Sequence, residues 1–405
     1  MPAHIILWPT SWAVTDLDIT ISPRLQTPGL LHLLQNLPML GSLTLSASGN
    51  DTNTLKKPIN SPVSPLTSLR SLKVSRTIDL YILSTLNLPS LITFSVENFR
   101  WSGDNMEHLA MFLSAHQMLE DVALVGARCT DAPEELQLPI TDLPSLLYLT
   151  ISRAPGIFLQ QLFAPYLSEI GLSHVEARAA SALLYMTPNI TRVKFDCLVY
   201  PQNKAQELLH AITCTGIASL DVDPTGLKWL DTATLPGLRA LSIRKTKAKT
   251  HSVVGPILRR LLNRSDFPPL RSMHLEQLNI SKEDFVWCLG QMGYMEELTL
   301  VDCNVAPEAW SRMADVIALP RLRWLNIEEC SSATPPRLVR MVQARNTAIS
   351  AIALPNAIAS LRVRVRFRGD CEDVTPATLD ELQLCNWDLL YTQCADSSNR
   401  IGRTG

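Results

Sequence analysis

What this sequence lacks narrows its chemistry first. It has no G-x-S-x-G, no phosphate-cradling glycine loop, no H-E-x-x-H and no G-x-G-x-x-G. The common nucleophile, phosphate, zinc and dinucleotide devices are therefore missing. His108 and His116 flank an apolar stripe eight residues apart; two histidines sharing a metal on one helix stand at i and i+4, so these are expected as ordinary helix residues. No enzyme activity, no cofactor, no metal and no catalytic residue is expected. The nine cysteines are odd in number and contain no C-x-x-C, which suits free thiols in a reducing compartment, cytoplasmic or nuclear. No apolar run approaches the roughly 18 residues of a membrane span. MPAHIILWPTSW has a four-residue apolar run, no Lys or Arg before it and Pro9 after it, unlike a signal peptide. The Asn-x-Ser/Thr matches at Asn50, Asn189, Asn263 and Asn279 are accordingly expected to stay unmodified. Lys+Arg 36 against Asp+Glu 38 gives net charge −2, so no basic field argues for bulk nucleic-acid binding.

What is present is a repeat. MEELTLVDC from Met295 and LRWLNIEEC from Leu322 superimpose, placing Met295, Leu298, Leu300 and Cys303 on Leu322, Leu325, Ile327 and Cys330. The pattern apolar-x-x-apolar-x-apolar-x-x-Cys is the leucine-rich-repeat signature. The template recurs from Val14, Leu40, Leu69, Leu91, Leu119, Leu146, Leu167, Ile190, Ile217, Leu238, Leu270, Met295, Leu322, Ile349 and Leu379. The average spacing of about 26 residues lies inside the range of this repeat class. The expected fold is α/β: a leucine-rich-repeat solenoid, or horseshoe, of about 15 irregular repeats over residues 8–390. A parallel sheet would line the concave face, with short helices and loops on the convex face. Residues 391–405 are expected to fray.

Proline supports the register. Pro38, Pro89, Pro144, Pro165, Pro188, Pro236, Pro268 and Pro320 each stand two residues before the first apolar position of a repeat, where a residue that cannot continue a helix suits a strand's lead-in. Helices are expected between strands. One is capped by Ser281 with Phe285, Cys288, Leu289 and Met292 inward. Pro307 opens another, with Trp310, Met313 and Ile317 inward. Thr334 and Pro335 open a third, with Leu338, Met341 and Val342 inward. Met106, Leu109, Ala110 and Leu113 form a similar stripe. Ser46 to Pro65, rich in Ser, Asn and Pro, reads as a loop. Cys303 and Cys330 fall at the ladder position, where a small donor satisfies backbone carbonyls after the strand; Ser22, Ser48, Thr77, Thr225 and Thr246 occupy the same place.

Strand alternation assigns the candidate binding surface. With the template's apolar letters inward, the outward set includes Tyr148, Arg192, Lys194, Asp221, Asp223, Arg244, His274, Glu276, Glu297, Trp324, Asn326 and Glu328. Polar residues there need no explanation beyond solvation; Arg192, Lys194 and Arg244 could pair with Asp221, Asp223 and Glu276 across neighbouring strands, or stand free for a partner. Trp324 is different: a large aromatic on the outward side is a candidate binding anchor. LRVRVRFRG from Leu361 alternates strictly, putting Arg362, Arg364, Arg366 and Arg368 on one face. That is either an anion or acidic-partner site or a charged strand that discourages edge pairing. The basic run Arg244, Lys245, Lys247 and Lys249 reads as a solvated loop.

The L-P-x-L phrasing, the irregular spacing and the ladder cysteines resemble the repeat region of fungal F-box/leucine-rich-repeat proteins. The resemblance implies a substrate-recognition role: in that family an F-box binds the Skp1 adaptor of a cullin ubiquitin ligase and the repeats hold the substrate. No L-P-x-E-[IL] phrase of F-box type precedes the first repeat near Val14, so Skp1 is expected as a partner only if an F-box lies upstream. The expected function is a non-catalytic interaction module whose concave face binds a protein partner. The alternatives are a scaffold or regulator of a small GTPase and, more weakly, anion or nucleic-acid binding through Arg362 to Arg368.

Overall fold

The computed structural model of the chain describes residues 13–21, 27–47, 65–75, 80–127, 137–200, 211–244, 254–280, 282–351 and 361–367. The chain divides into two compact units, one ending at Glu207 and the other beginning at Leu208.

In the first unit the long strands are β1 (Asp16–Ile21), β2 (Ser42–Ala47), β3 (Ser71–Ser75), β4 (Thr93–Phe99), β5 (Asp121–Gly126), β7 (Tyr148–Ser152), β9 (Glu169–Ser173) and β10 (Arg192–Asp196). They pair in that order, each parallel to the next. Behind them lie α1 (Thr27–Gln35), a 3-10 turn at Leu80–Thr85, α2 (Gly103–Ala115), α3 (Gly156–Gln160) and α4 (Ala177–Met186), with a two-residue pair of β6 (Thr141–Asp142) and β8 (Leu162–Phe163).

The second unit repeats the scheme with β12 (Ser219–Val222), β14 (Ala240–Arg244), β15 (Ser272–Glu276), β16 (Glu297–Val301), β17 (Trp324–Glu328) and β18 (Arg362–Arg366), again all parallel. Its other elements are α5 (Leu227–Leu230), α6 (Gly255–Arg264), α7 (Lys282–Gln291), α8 (Pro307–Ala314), α9 (Pro335–Ala351) and the pair β11 (Ile212–Thr213) with β13 (Ala233–Thr234).

Each repeat is built by the same local chemistry. Where the lead-in carries proline, it occupies the second position of a β-turn, where its fixed φ is already correct; Thr67, Gln117 and Gly293 take that place in turns without it. The turn closes through the N–H of the first apolar residue, as in Leu40 to Leu37 at 3.1 Å, Leu146 to Leu143 at 3.2 Å and Leu322 to Leu319 at 3.3 Å. Pro268 is the exception: Leu270 N–H bonds to the Pro268 carbonyl itself. The strand then alternates, burying pairs such as Leu149 and Ile151, Leu298 and Leu300, and Val363 and Val365.

The strand ends on a residue in the left-handed region: Arg153, His174, Gln277, Asp302 and Glu329 have φ between 47° and 59°. This conformation is strained for side chains of this kind. It is held because each such N–H donates to the last carbonyl of the following strand, for example Asp302 to Glu328 at 2.7 Å and Glu329 to Arg366 at 2.8 Å.

The ladder position follows. Cys303 Sγ lies 3.3 Å from both the Leu275 and Val301 carbonyl oxygens, and Cys330 Sγ lies 3.5 Å from the Leu300 oxygen while accepting the Cys303 N–H at 3.4 Å. Both thiols are free and buried, and burial pushes Cys303 up to about 11 and Cys330 up to about 12, so neither is an activated nucleophile. Thr225 does not share this job: its hydroxyl donates to the Asp223 carboxylate at 2.6 Å.

Thirteen of the expected strands, from Val14 to Leu322, lie where the template placed them. The strand expected from Ile349 does not. Ile349 lies in α9, a helix of 17 residues, because Leu338, Met341, Val342 and Arg345 continue one buried helical stripe. The next strand is β18, formed by the Arg-alternating segment, which pairs in register with β17. Ile317 is also corrected: it lies beyond α8 and is 85% exposed, whereas Trp310 and Met313 are buried as expected. The stripes of α2 and α7, Met106, Leu109, Ala110 and Leu113, and Phe285, Cys288 and Leu289, are buried, as is Met292 just past α7. Leu379, Ser281, Ser22, Ser48, Thr77, Thr246, Lys245, Lys247, Lys249, Arg368, most of the Ser46–Pro65 loop and the tail 391–405 lie outside the described residues.

Candidate interaction surface

Alternation along each strand gives the long strands of each unit one face packed on the helices and one face open to solvent. In the first unit the open face carries rows set by the register. Asp121, Tyr148, Glu169 and Arg192 stand side by side, and beside them Ala123, Thr150, Gly171 and Lys194. Arg192 pairs with Glu169 at 2.6 Å and Lys73 with Glu97 at 2.8 Å. Burial, with Glu169 nearby, raises the Asp121 carboxyl above its ordinary value. Tyr148 is 43% exposed. Both ion pairs are well solvated, and such pairs contribute little, about 0–1 kcal/mol.

In the second unit Arg244 pairs with Asp221 at 3.1 Å and bonds Ser242 Oγ through Nε at 2.9 Å. The contact is diagonal, since Asp221 lies directly opposite Ser242. His274 Nε2 stands 3.6 Å from Glu276, beyond hydrogen-bond distance. Asn326 donates to Glu328 at 2.9 Å, while its Oδ1 is buried with no donor. Trp324, at 41% exposure, has the Arg362 guanidinium over its ring at 5.1 Å. Glu297, directly opposite Trp324 on β16, is exposed.

Asp223 departs from the expected set. It follows β12 rather than lying in it and is buried, accepting from the Thr225 hydroxyl and from the Gly226 N–H at 3.1 Å. It shapes the turn into α5 and offers nothing to a partner. Arg192 is paired within its own unit, with Glu169. Arg362 and Arg364 are the residues that sequence reasoning left outside the Trp324 surface. The strict Arg alternation in LRVRVRFRG was their signal, but only the register with β17 shows which residues they adjoin.

The helix side of the second unit carries a shallow groove of about 430 Å³ lined by Glu283, Val286, Trp287, Gln291, Glu308 and Arg312, with Arg259 stacked on Trp287 at 4.8 Å. Among the described residues, no helix is long and apolar enough to cross a membrane.

No family model matches the chain, and no curated protein matches it. Among solved structures it is similar to a Bacteroides fragilis protein from a structural genomics programme, with 13% identity over 71% of this chain and 67% of that chain and a TM-score of 0.35. A likeness that loose carries no argument about function.

Proposed function

We propose that this chain is a leucine-rich-repeat interaction module, without catalytic activity, that binds a protein partner on the open face of its parallel strands. In this reading the repeats curve so that the open face is concave, as repeat stacking does in solenoids. One observation carries it. Trp324 opens β17, two-fifths exposed, on a strand face otherwise made of Asn326 and Glu328, and aromatics are enriched among the energetic anchors of protein interfaces. The F-box/leucine-rich-repeat resemblance extends the reading to substrate recognition for a ubiquitin ligase, through Skp1 only where an F-box is joined to the repeats.

The test is photo-cross-linking. A cross-linkable amino acid is placed at Thr150 or Thr299 on the open face, and at Glu107 or Tyr185 on the helix side. The same partner is expected from both open-face positions and from neither helix-side position. Cross-links confined to the helix side would defeat the reading.

A further inference from the structure

The register of β16, β17 and β18 specifies what chemistry this part of the face would take. Glu297, Trp324 and Arg362 form one row, Thr299, Asn326 and Arg364 the next, and Val301, Glu328 and Arg366 the third. Two of these charged groups are occupied: Glu328 accepts from Asn326, and Arg366 Nε stands 3.7 Å from Glu329. Arg364 is exposed and, among the described residues, has no carboxylate within ion-pairing distance. Among the described residues, Arg362 lies over the Trp324 ring and has no carboxylate within ion-pairing distance. A guanidinium stacked on an indole keeps its in-plane N–H donors for a carboxylate.

We infer that the open face of β16–β18 is the docking site for an extended, acidic polypeptide segment. Carboxylates at alternate positions of the segment engage Arg362 and Arg364, which stand two residues apart on one face of β18. The geometry matches: same-face residues of one strand are about 6.6 Å apart, in this sheet and in an extended partner alike. Guanidinium forks take carboxylates in two-point contacts. A nucleic-acid backbone fits less well. Its charge repeats continuously along the chain, whereas Arg362 and Arg364 present two discrete positive groups on one strand. This inference rests on the reading that the open face binds protein.

The experiment measures fluorescence anisotropy with the full chain. Its probes are a labelled peptide alternating glutamate with valine, the same peptide with glutamine for glutamate, and an oligouridylate. The glutamate peptide is expected to bind, the glutamine peptide to bind far more weakly, and salt to weaken the former. Arg364→Gln should cost about tenfold in affinity, and Arg362→Gln a similar loss with a change in tryptophan emission. Arg340→Gln, exposed on α9, should change nothing. Circular dichroism of each variant, expected to match the parent, separates lost binding from lost folding. No binding of the glutamate peptide, an unchanged affinity in Arg364→Gln, or tighter binding of oligouridylate would each overturn the inference. If any of these occurs while open-face cross-links still form, only the acidic-segment inference falls. If those cross-links are missing too, the interaction reading falls with it.

Discussion

Arg362 lies over the ring of Trp324, 5.1 Å from its centroid, although the two residues belong to different repeats and are separated in sequence by the whole of α9. The contact joins the one large aromatic of the β17 face to the Arg-rich strand beside it. An exposed cation–π pair is worth about 0.5–1 kcal/mol, so its part in stability is small. Trp324→Ala is therefore expected to leave the melting temperature nearly unchanged while weakening partner binding by tenfold or more, on the order of 2 kcal/mol. A large drop in melting temperature would instead make Trp324 a core residue.

Leu298 is the opposite case. It is fully buried at the centre of β16, between Met273 and Leu325. Leu298→Ala removes buried methyl groups and leaves a cavity, and should destabilise by about 2–5 kcal/mol in denaturant unfolding. A cost below 1 kcal/mol would contradict the stacked core.

Gly126 closes β5 directly against Trp101, whose indole N–H donates to the Ser152 carbonyl at 3.1 Å. A Cβ at Gly126 would overlap Trp101 Nε1 and Cδ1. Trp101 is itself wedged against Phe99 and Phe158, with centroids at 4.5 and 5.1 Å. Gly126→Ala should thus cost about 1–3 kcal/mol as overpacking, read as a lower unfolding midpoint and altered tryptophan emission.

Arg345 is fully buried, and burial lowers the guanidinium's pKa below its ordinary value, without making it neutral. Its Nη2 donates to the Leu319 carbonyl at 2.8 Å, and its fork reaches toward Met313 and Leu322 at 3.4 Å. The Leu319 carbonyl also closes the turn by accepting the Leu322 N–H at 3.3 Å, so Arg345 ties the end of the preceding repeat's helix to the turn that leads into β17. Arg345→Ala should cost about 1–3 kcal/mol for the lost hydrogen bonds alone. Arg345→Lys should recover part of that, because one ammonium still reaches the Leu319 oxygen. Equal loss in both variants would assign Arg345 to packing rather than to hydrogen bonding.

Cys303 and Cys330 give a pH prediction with a fixed sign. Their thiols ionise near 9 when the chain is unfolded and are pushed up to about 11 and about 12 in the folded state. Below pH 9 both states hold the proton and the contribution is complete. As pH rises from 9 toward 12 the unfolded state loses protons first, so stability falls across that window. Thiol-reagent labelling at neutral pH should be slow in the native protein and fast in denaturant. Rapid native labelling of either cysteine would contradict the buried ladder.

The thirteen strands from Val14 to Leu322 were legible because one face of each is buried on the helices, and a slip of one residue would turn Leu and Val outward and charges inward. The Pro-led turns and the ladder cysteines were legible for the same reason: their chemistry is local, within a few residues of the strand. Three features were not. ISAIAL at Ile349 satisfies the strand template and also extends the helical stripe of Leu338, Met341 and Val342, and hexamer patterns cannot arbitrate between periods that both fit. Asp223 reads as an outward strand residue until the chain turns one position earlier and buries it on Gly226. Arg362 reads as one of four equivalent arginines until β18 pairs with β17 and sets it on Trp324.

The sequence by itself determined the repeat, the inward positions and the local turn chemistry, because each follows from the period of a strand and the fixed φ of proline. The tertiary structure decided which outward side chains become neighbours. The connections between adjacent strands carry elements as different as the five-residue α3 and the 17-residue α9, and only hydrogen-bonded register converts positions far apart in sequence into one row of a surface.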